Sequence, residues 1–591
     1  MKDFLKYTLA TIVGILLLSA VLTIIGISSM AGMMASAESE TVVRKPSVFK
    51  LTLQGSVYEQ AVDNPFEAFA SGDEQTSVGL DDILSSISKA AENDNIKGIY
   101  LEAKGISASP ATLSLIRQAL LDFKQTGKWV VSYGDTYSQG DYYVSSVADK
   151  VILNPQGVLD WHGLASQSIF FPDAMKQLGV EMQIFKVGTY KSAVEPFMTT
   201  QMSDANREQV TAYLNTLWNV IVDGVSAERN ISAETLNAYA DEYLAFTTPE
   251  EVVEKGMADT LLYMDGVKSY LQELMDDNGS LRMLTLSDVK NIRKNKPLDK
   301  SGNVIAIYYA QGDIVQTPSQ TNFAGSPEIC SDKVIQDLQK LRNDDNVKAV
   351  VFRVNSGGGS AYASEQIWRE ITLLKEKKPV IVSMGDMAAS GGYYISCAAD
   401  TIVAQPNTLT GSIGIFGMFP CAEKLMTEKI KLHFDGVKTN AHGDMGSYYR
   451  KMNADEGALM QRMIENGYKT FITRCANGRG MTPEAIDAIG QGRVWTGEAA
   501  LGLGLVDVLG DINDAERIAA EKAGIDSYTL LAYPEQESFF TRLMNKARSN
   551  YFESRMQRFL GDFAEEAMFF QNINEMDPIQ ARIPYFFKVK M

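Results

Sequence analysis

The sequence predicts an α/β protein in which two copies of one domain follow an N-terminal transmembrane helix. Three observations lead to this prediction. An uncharged apolar stretch opens the chain, the sequence after it repeats itself at a nearly constant offset, and short β-branched strands alternate with helical segments in both copies. Such alternation is typical of a parallel sheet with helices packed on it.

Residues 1–37 are the predicted membrane anchor. No charged residue occurs from Tyr7 to Ala37, and the apolar part of this stretch exceeds the ~20 residues that a helix needs to cross a bilayer. Lysines precede it and glutamates follow it, so the positive-inside rule places the N-terminus in the cytoplasm and the rest of the chain outside. A cleaved signal peptide is the alternative, because residues 35–37 (ASA) resemble a cleavage site.

Direct comparison of the two halves reveals the repeat. Residues 94–97 read DNIK and residues 345–348 read DNVK, an offset of 345 − 94 = 251. At the same offset, eight of the seventeen positions from Tyr133 to Asp149 are identical to their partners. We therefore predict a first repeat over residues 46–285 and a second over 302–530, joined by a polar, basic linker over 286–301.

Residues 531–591 form a predicted helical tail that is rich in aromatic residues and methionine. Charged residues such as Arg542 and Glu553 interrupt it, so a second membrane span is not expected. We interpret the tail as a packing element or an oligomer contact.

Composition and motifs exclude several classes of partner. The net charge of −18 and the lack of a long basic run argue against nucleic acid. No phosphate-binding or dinucleotide-binding glycine motif occurs, so neither ATP nor NAD is implied. The four cysteines and three histidines are too scattered for a metal site. We expect no cofactor and no metal.

Ser390 is the candidate nucleophile. A β-branched strand (residues 378–383) precedes it, helical sequence follows it, and small residues such as Gly391 flank it. At such a turn the helix N-terminus stabilises an oxyanion, although an ordinary N-cap serine gives the same pattern. The partner of Ser390 in the first repeat is 390 − 251 = 139, which is Gln139, so only the second repeat has a hydroxyl there.

A glycine-rich loop over residues 355–360 (NSGGGS) follows another strand of the second repeat. Free N–H groups of such a loop can hold an oxyanion, but a flexible turn has the same composition. The first repeat has one glycine in the equivalent loop. Both candidate features are therefore missing from the first repeat.

A nucleophilic serine needs a base, and two residues are candidates. His442 is the histidine to test. Lys191 is a lone cation among aromatic and small residues of the first repeat, and Ala441 stands opposite it in the second. A lysine base must be neutral, which requires a pKa lowered from ~10.4 by desolvation. Taken by itself, the sequence favours an ordinary surface lysine.

Three motifs resemble those of the signal peptide peptidase A family, in its long, tandem-repeat, membrane-anchored bacterial form. They are residues 190–197 (YKSAVEPF), 387–394 (MAASGGYY) and 407–414 (NTLTGSIG). The resemblance covers nearly the whole chain, including the anchor and both repeats.

The resemblance implies a serine endopeptidase with a Ser/Lys dyad and a fold similar to the Clp protease and crotonase superfamily. It makes Ser390 the nucleophile, Lys191 the general base and Ser412 a residue that orients the lysine. Gly391 and Gly358 are the expected oxyanion donors. The family's loop often reads Ser-Pro-Gly-Gly, whereas Gly357 occupies the proline position here, which predicts a less rigid loop.

The resemblance also implies a homotetramer on the outer face of a bacterial inner membrane, degrading cleaved signal peptides and other apolar peptides. Two other classes of function fit parts of the sequence. A crotonase-like acyl-CoA enzyme has a similar fold and glycine loop but needs no serine nucleophile. A non-catalytic membrane scaffold explains the anchor, repeats and tail but not the difference between Ser390 and Gln139.

Overall fold

The computed structural model describes residues 14, 40–60, 77–275, 281–293, 299, 301–318, 327–534 and 577–583. In these ranges no helix is both long enough and apolar enough to cross a membrane. The anchor predicted for residues 1–37 lies outside them except for Gly14, and so does the predicted tail between residues 535 and 576.

The first repeat is a parallel sheet with helices on it. Its strand order is β2-β1-β3-β4-β5-β7, and β8 pairs with β1. The strands are β1 (Ser47–Tyr58), β2 (Ser77–Gly79), β3 (Ile96–Ser107), β4 (Trp129–Tyr137), β5 (Lys150–Leu159), β6 (Glu181–Lys186, in another sheet), β7 (Thr260–Leu261) and β8 (Met283–Leu284). The helices are α1 (Leu80–Glu92), α2 (Pro110–Gln125), α3 (Gln139–Ser145), α4 (Pro172–Leu178), α5 (Asp204–Arg229), α6 (Ala233–Glu242), α7 (Pro249–Glu254), α8 (Met264–Leu274) and α9 (Leu286–Lys290), with 3₁₀ turns at Ser192–Phe197 and Leu244–Phe246.

The second repeat builds a similar sheet, in which the β16–β18 pair is antiparallel. Its order is β18-β16-β14-β12-β9-β20, with β15 between β14 and β19. Its strands are β9 (Val304–Gln311), β10 (Asp313–Val315), β11 (Glu328–Cys330), β12 (Val347–Ser356), β13 (Gly358–Ser360), β14 (Val380–Ala389), β15 (Thr401–Ala404), β16 (Leu409–Gly411), β17 (Phe416–Cys421), β18 (Val494–Thr496), β19 (Val508–Leu509) and β20 (Thr529–Tyr533). Its helices are α10 (Ser331–Asn343), α11 (Ala361–Lys375), α12 (Gly391–Ser396), α13 (Ala454–Arg479), α14 (Pro483–Ile489), α15 (Gly497–Gly502) and α16 (Ile512–Ala523), with a π turn at Leu425–Lys429.

Equivalent elements of the two repeats begin at the predicted offset. The first positions of strands β3 and β12 differ by 347 − 96 = 251, and those of β4 and β14 differ by 380 − 129 = 251. Helices α2 and α11 begin at the same offset, since 361 − 110 = 251. The repeat seen in the sequence is therefore a repeat of structure.

A third sheet joins the two repeats. Its order is β11-β10-β13-β21-β17-β6, where β21 is Ile579–Arg582. Strand β6 comes from the first repeat and pairs antiparallel with β17 of the second. This sheet brings segments that are far apart in the sequence to one place.

Two predicted boundaries differ from the structure. Residues 286–290 of the predicted linker form α9, and Val289 is fully buried in the core of the first repeat, so this repeat extends past residue 285. The described end of the predicted helical tail is the strand β21, because β13 and β17 pair with it on both sides. A segment whose backbone groups are paired on two edges adopts the extended form.

A buried ion pair also connects the repeats. Arg353 Nε on β12 lies 2.9 Å from Glu59 Oε2, and both side chains are almost completely buried. Asn355 donates to the same carboxylate at 2.8 Å. On the neighbouring strand, Asp386 accepts hydrogen bonds from Thr112 of the first repeat. Paired charges of this kind are costly to break singly.

Candidate active site

Ser390 lies at a sharp turn between β14 and α12. Its φ is 56° and its ψ is −110°, a conformation that L-residues other than glycine rarely adopt. The Ser390 N–H donates to the Gly411 carbonyl at 2.8 Å, which fixes the turn. Strained backbone is often found at functional sites. The side chain has no solvent exposure.

The pairing of β6 with β17 places the loop that contains Lys191 beside Ser390. This loop is held against the second repeat, where Tyr190 N–H donates to the Gln491 carbonyl at 2.9 Å. On the other side, Gln209 Nε2 of α5 donates to the Tyr190 carbonyl and to Ser192 Oγ, both at 3.1 Å. The lysine backbone is therefore fixed by both repeats.

The amine and the hydroxyl are in hydrogen-bonding contact within one chain. Lys191 Nζ lies 2.7 Å from Ser390 Oγ, 3.1 Å from Ser412 Oγ and 3.1 Å from the Ser412 carbonyl oxygen. Lys191 is 1% exposed. No carboxylate is among these contacts of its amine, so burial lowers the pKa of Lys191 well below its usual value, and the positive charge of Arg582 lowers it further. A neutral amine at this distance can accept the serine proton.

Ser412 itself is held in an unusual conformation. Its φ is 49°, its N–H donates to the Arg493 carbonyl at 2.6 Å, and its Oγ donates to the Gly492 carbonyl at 3.3 Å. Its hydroxyl and carbonyl oxygens both point at the lysine amine. This arrangement can orient the amine toward Ser390.

The two candidate oxyanion residues lie side by side. Gly358 has φ of 105°, and a Cβ atom added to it would lie 2.8 Å from the Gly391 nitrogen. The same added atom would lie 2.1 Å from the Ala581 carbonyl oxygen. A peptide carbonyl therefore already occupies the space beside both glycines. The Gly358 N–H donates to Ser356 Oγ at 3.1 Å.

His442, the alternative base, contacts other groups. Its Nδ1 lies 3.7 Å from Glu456 Oε1, and its side chain is 45% exposed. The structure thus brings Lys191, and not His442, into contact with Ser390.

At the positions of the first repeat that correspond to the candidate active site, side chains accept hydrogen bonds from backbone N–H groups. Gln139 Oε1 accepts the N–H groups of His162 and Gly163, both at 2.8 Å. The carboxylate of Asp141 accepts those of Gly105 and Ile106, both at 3.2 Å. These last two residues correspond to 356 and 357 in the glycine loop, since 105 + 251 = 356. Side chains of the first repeat therefore already accept from these four backbone N–H groups. The positions equivalent to Gly358 and Gly391 are different residues, Ser107 and Gly140, since 358 − 251 = 107 and 391 − 251 = 140.

Several residues of the site were not singled out by the sequence. A Cβ atom on Gly492 would lie 2.6 Å from the Lys191 Cβ, so this glycine makes room for the lysine. The buried Glu195 accepts from Ser203 Oγ at 2.5 Å and from Asn206 Nδ2 at 2.9 Å, which anchors the turn after Lys191. Glu195 lies in the motif of residues 190–197, so the sequence contained a pattern that could have identified it. Gly492 lies in none of the three motifs.

Comparison with family models matches both repeats. The model of peptidase family S49 matches residues 122–277 and 372–526, and the Clp protease model matches residues 325–410. These matches confirm the predicted fold class of two tandem Clp protease-like α/β domains. Among solved structures, a ClpP1 mutant from Listeria monocytogenes covers 36% of this chain and 94% of its own, with 18% identity and a TM-score of 0.24.

Several relatives match most of the chain. Protease 4 of Salmonella typhi is 38% identical over 484 residues, covering 80% of this chain and 77% of its own. Protease 4 of Haemophilus influenzae is 37% identical, with coverage of 73% and 71%. The chloroplastic serine protease SPPA of Arabidopsis thaliana is 31% identical, with coverage of 82% and 70%. The chain therefore belongs to peptidase family S49, the signal peptide peptidase A family, and is a serine peptidase.

Proposed function

We propose that the chain is a membrane-anchored endopeptidase that cleaves signal peptides and other apolar peptides through a Ser390/Lys191 dyad. The observation that carries this proposal is the 2.7 Å separation of Lys191 Nζ and Ser390 Oγ, with both side chains buried. The opening apolar segment supports the membrane anchor, with the catalytic domains on the extracytoplasmic side. Assembly as a homotetramer belongs to the same proposal.

The mechanism begins with a proton transfer. Neutral Lys191 takes the proton of Ser390 Oγ, which attacks the carbonyl carbon of a peptide bond. The oxyanion forms beside Gly391 and Gly358, and the Gly358 N–H exchanges Ser356 Oγ for this new acceptor. Ser412 keeps the lysine amine aimed at the nucleophile.

The peptide bond then breaks and the enzyme is restored. The bond between the carbonyl carbon and the leaving nitrogen is cleaved, and Lys191 gives that nitrogen the proton. Water, deprotonated by Lys191, attacks the resulting ester. The acid product leaves, and Ser390 regains its proton.

Two alanine substitutions test the dyad. Ser390→Ala and Lys191→Ala should each lower hydrolysis of a fluorogenic apolar peptide by at least about 10³-fold, with secondary structure and assembly unchanged. Lys97→Ala, at an exposed lysine, and His442→Ala are matched controls that should keep near-full activity. Near-full activity of Lys191→Ala together with loss in His442→Ala would contradict the assignment.

Covalent labelling separates the peptidase from the acyl-CoA enzyme. A serine-directed fluorophosphonate should label the wild-type chain at Ser390 and should not label Ser390→Ala. Turnover of an acyl-CoA thioester by the unlabelled variant would favour the crotonase-like function instead.

A further inference from the structure

Arg493, the residue directly before strand β18, contacts the loop that carries Lys191. Its Cζ atom lies 4.6 Å from the centre of the Tyr190 ring and 4.3 Å from the centre of the Trp495 ring. The guanidinium group therefore lies over two aromatic rings, an arrangement that favours a planar cation. Because Tyr190 directly precedes Lys191 in the chain, a fixed Tyr190 limits where the lysine backbone can lie.

Polar contacts extend this link to the first repeat. Arg493 Nη1 donates to the Tyr190 hydroxyl at 3.1 Å, and Arg493 Nη2 lies 2.9 Å from Glu208 Oε1 on α5. The Tyr190 hydroxyl donates in turn to Glu208 Oε2 at 3.2 Å. The Glu208 side chain is 55% exposed, so the ion pair by itself is weak. We attribute most of the link to the aromatic contacts.

The backbone of the same segment fixes Ser412, the other residue that contacts the lysine amine. The Arg493 carbonyl accepts the Ser412 N–H at 2.6 Å, and the neighbouring Gly492 carbonyl accepts the Ser412 hydroxyl at 3.3 Å. Gly492 also lies against Lys191, since an added Cβ atom would lie 2.6 Å from the lysine Cβ. Residues 492–493 thus contact both Lys191 and the serine that holds its amine.

The position of Arg493 is itself fixed from two sides. Strand β18 pairs antiparallel with β16, and β16 pairs with β14, the strand that leads to Ser390. On the other side, Gln209 Oε1 of α5 accepts the Val494 N–H at 3.1 Å, while its Nε2 donates to the Tyr190 carbonyl at 3.1 Å. Arg493 therefore lies between the sheet that positions the nucleophile and the helix that holds the lysine loop.

The first repeat lacks both side chains of the second repeat that form this stack. Helices α7 and α15 begin at equivalent positions with an offset of 497 − 249 = 248. At this offset Arg493 corresponds to Ala245 and Trp495 to Thr247, since 493 − 248 = 245 and 495 − 248 = 247. The shared fold of the repeats therefore does not require this pair. The pair occurs in the repeat whose segment contacts the lysine loop.

We propose that Arg493 is a positioning residue of the reaction, which keeps Lys191 at the place where its amine meets Ser390 Oγ. This inference rests on the proposed function, in which the lysine is the base. The guanidinium group acts through Tyr190, and the Arg493 carbonyl acts through Ser412. Loss of the side chain should misplace the amine, which slows proton transfer without weakening peptide binding.

Steady-state kinetics of the full-length chain on a fluorogenic apolar peptide test this role. Arg493→Ala should lower kcat about 10–100-fold and change KM by less than about twofold. Arg474→Ala is the matched control, because Arg474 lies 4.1 Å from the centre of the Trp368 ring and pairs with Glu365 at 2.6 Å. This control should keep kcat within about twofold of the wild-type value. Equal losses of kcat in the two variants, or an unchanged kcat in Arg493→Ala, would overturn the inference.

Two further variants separate stacking from charge. Arg493→Lys keeps a positive charge near Glu208 but lacks the planar guanidinium group, so kcat should fall about tenfold. Glu208→Gln removes the exposed ion pair and keeps both rings, so kcat should fall less than about threefold. Full activity of Arg493→Lys would overturn the role given to the stacked guanidinium group. Arg493→Lys also carries the test if the alanine variant does not fold.

The pH profile reports the surroundings of the lysine amine. A loosened Lys191 gains contact with water, so the midpoint of kcat/KM against pH should move up in Arg493→Ala, toward the usual lysine pKa. Arg474→Ala should leave the midpoint in place. The charge of Arg582 acts on the amine in both variants, so it does not account for a difference between them. An unmoved midpoint in Arg493→Ala would contradict the positioning role.

Chemical modification of Lys191 reports its accessibility without catalysis. N-hydroxysuccinimidyl acetate, with acetylated lysines mapped by mass spectrometry, should modify Lys191 faster in Arg493→Ala than in the wild-type chain or Arg474→Ala, because the wild-type side chain is 1% exposed. Faster modification with no peptide hydrolysis by the wild-type chain would reject the proposed function alone. Unchanged modification in a chain that hydrolyses peptides would reject only the inference.

Discussion

At the residue scale, Lys191 lies in an environment far from that of an ordinary, solvent-exposed lysine. A charged ammonium group would lose its hydration in this buried place, and its polar neighbours are hydroxyl and carbonyl oxygens. Each unit by which the pKa falls corresponds to ~1.4 kcal/mol. At neutral pH, keeping this amine neutral therefore lowers the stability of the folded chain.

The lowered pKa of Lys191 predicts the pH dependence of hydrolysis. Only the neutral amine acts as a base, so kcat/KM should rise with pH through a pKa below the usual lysine value and then level off. Stability should keep rising from that pKa up to pH ~10.4, because the unfolded chain binds more protons than the folded chain over this interval. A pH–rate profile and pH-dependent unfolding measure both.

Lys191→Arg is the matched control for this prediction. Arginine has a pKa above about 12 and therefore stays protonated at every accessible pH. Activity should accordingly fall by about 10²–10⁴-fold over the whole pH range. A rate that still rises with pH in this variant would show that another group supplies the base.

Ser412 should act as a positioning residue. Ser412→Ala removes the hydroxyl contact to the Lys191 amine but leaves the carbonyl contact. We expect kcat to fall about 10–100-fold with KM little changed, because misplacement of a catalytic group costs rate and not binding. Ser132→Ala, at a buried serine of the first repeat, is the control. Equal losses in the two variants would indicate general destabilisation.

At the scale of elements, the ion pair between Glu59 and Arg353 fixes how the two repeats meet. Arg353→Met leaves the buried carboxylate of Glu59 without its cation, which should cost about 3–5 kcal/mol of unfolding free energy. The double variant Glu59→Leu/Arg353→Met should recover much of this loss. Denaturant unfolding measures both.

An exposed pair is the control for the buried one. Arg517 lies 2.8 Å from Glu521 on α16, and both side chains are exposed. Arg517→Met should change stability by less than about 1 kcal/mol. A similar loss at both sites would mean that burial is not what makes the Glu59–Arg353 pair important.

Elements within each repeat were predictable because their signals are local. The strand before Ser390, the helix after it and the constant offset between repeats all follow from composition and spacing. For Ile579–Arg582, composition predicts helix, whereas the structure has a strand. Its extended form depends on β13 and β17, which are distant in the sequence, so local composition carried no signal for it.

At the scale of the whole molecule, both residues of the proposed dyad come from one chain. Lys191 and Ser390 are 199 residues apart in sequence and in contact in space. Mixing Lys191→Ala chains with Ser390→Ala chains should therefore not restore activity, even after dissociation and reassembly. Recovery of activity in the mixture would show that the dyad forms between subunits.

The sequence by itself determined the tandem repeat, the family and the identity of Ser390 and Lys191 as candidates, because each of these is visible in short motifs or in their spacing along the chain. The tertiary structure alone decided that Lys191 and not His442 reaches the serine, that Gln139 and Asp141 accept from backbone N–H groups of the first repeat, and that strand β21 lies between β13 and β17. All three depend on strand pairing and packing between distant segments, where the free energy of a contact depends on the whole fold and not on local sequence.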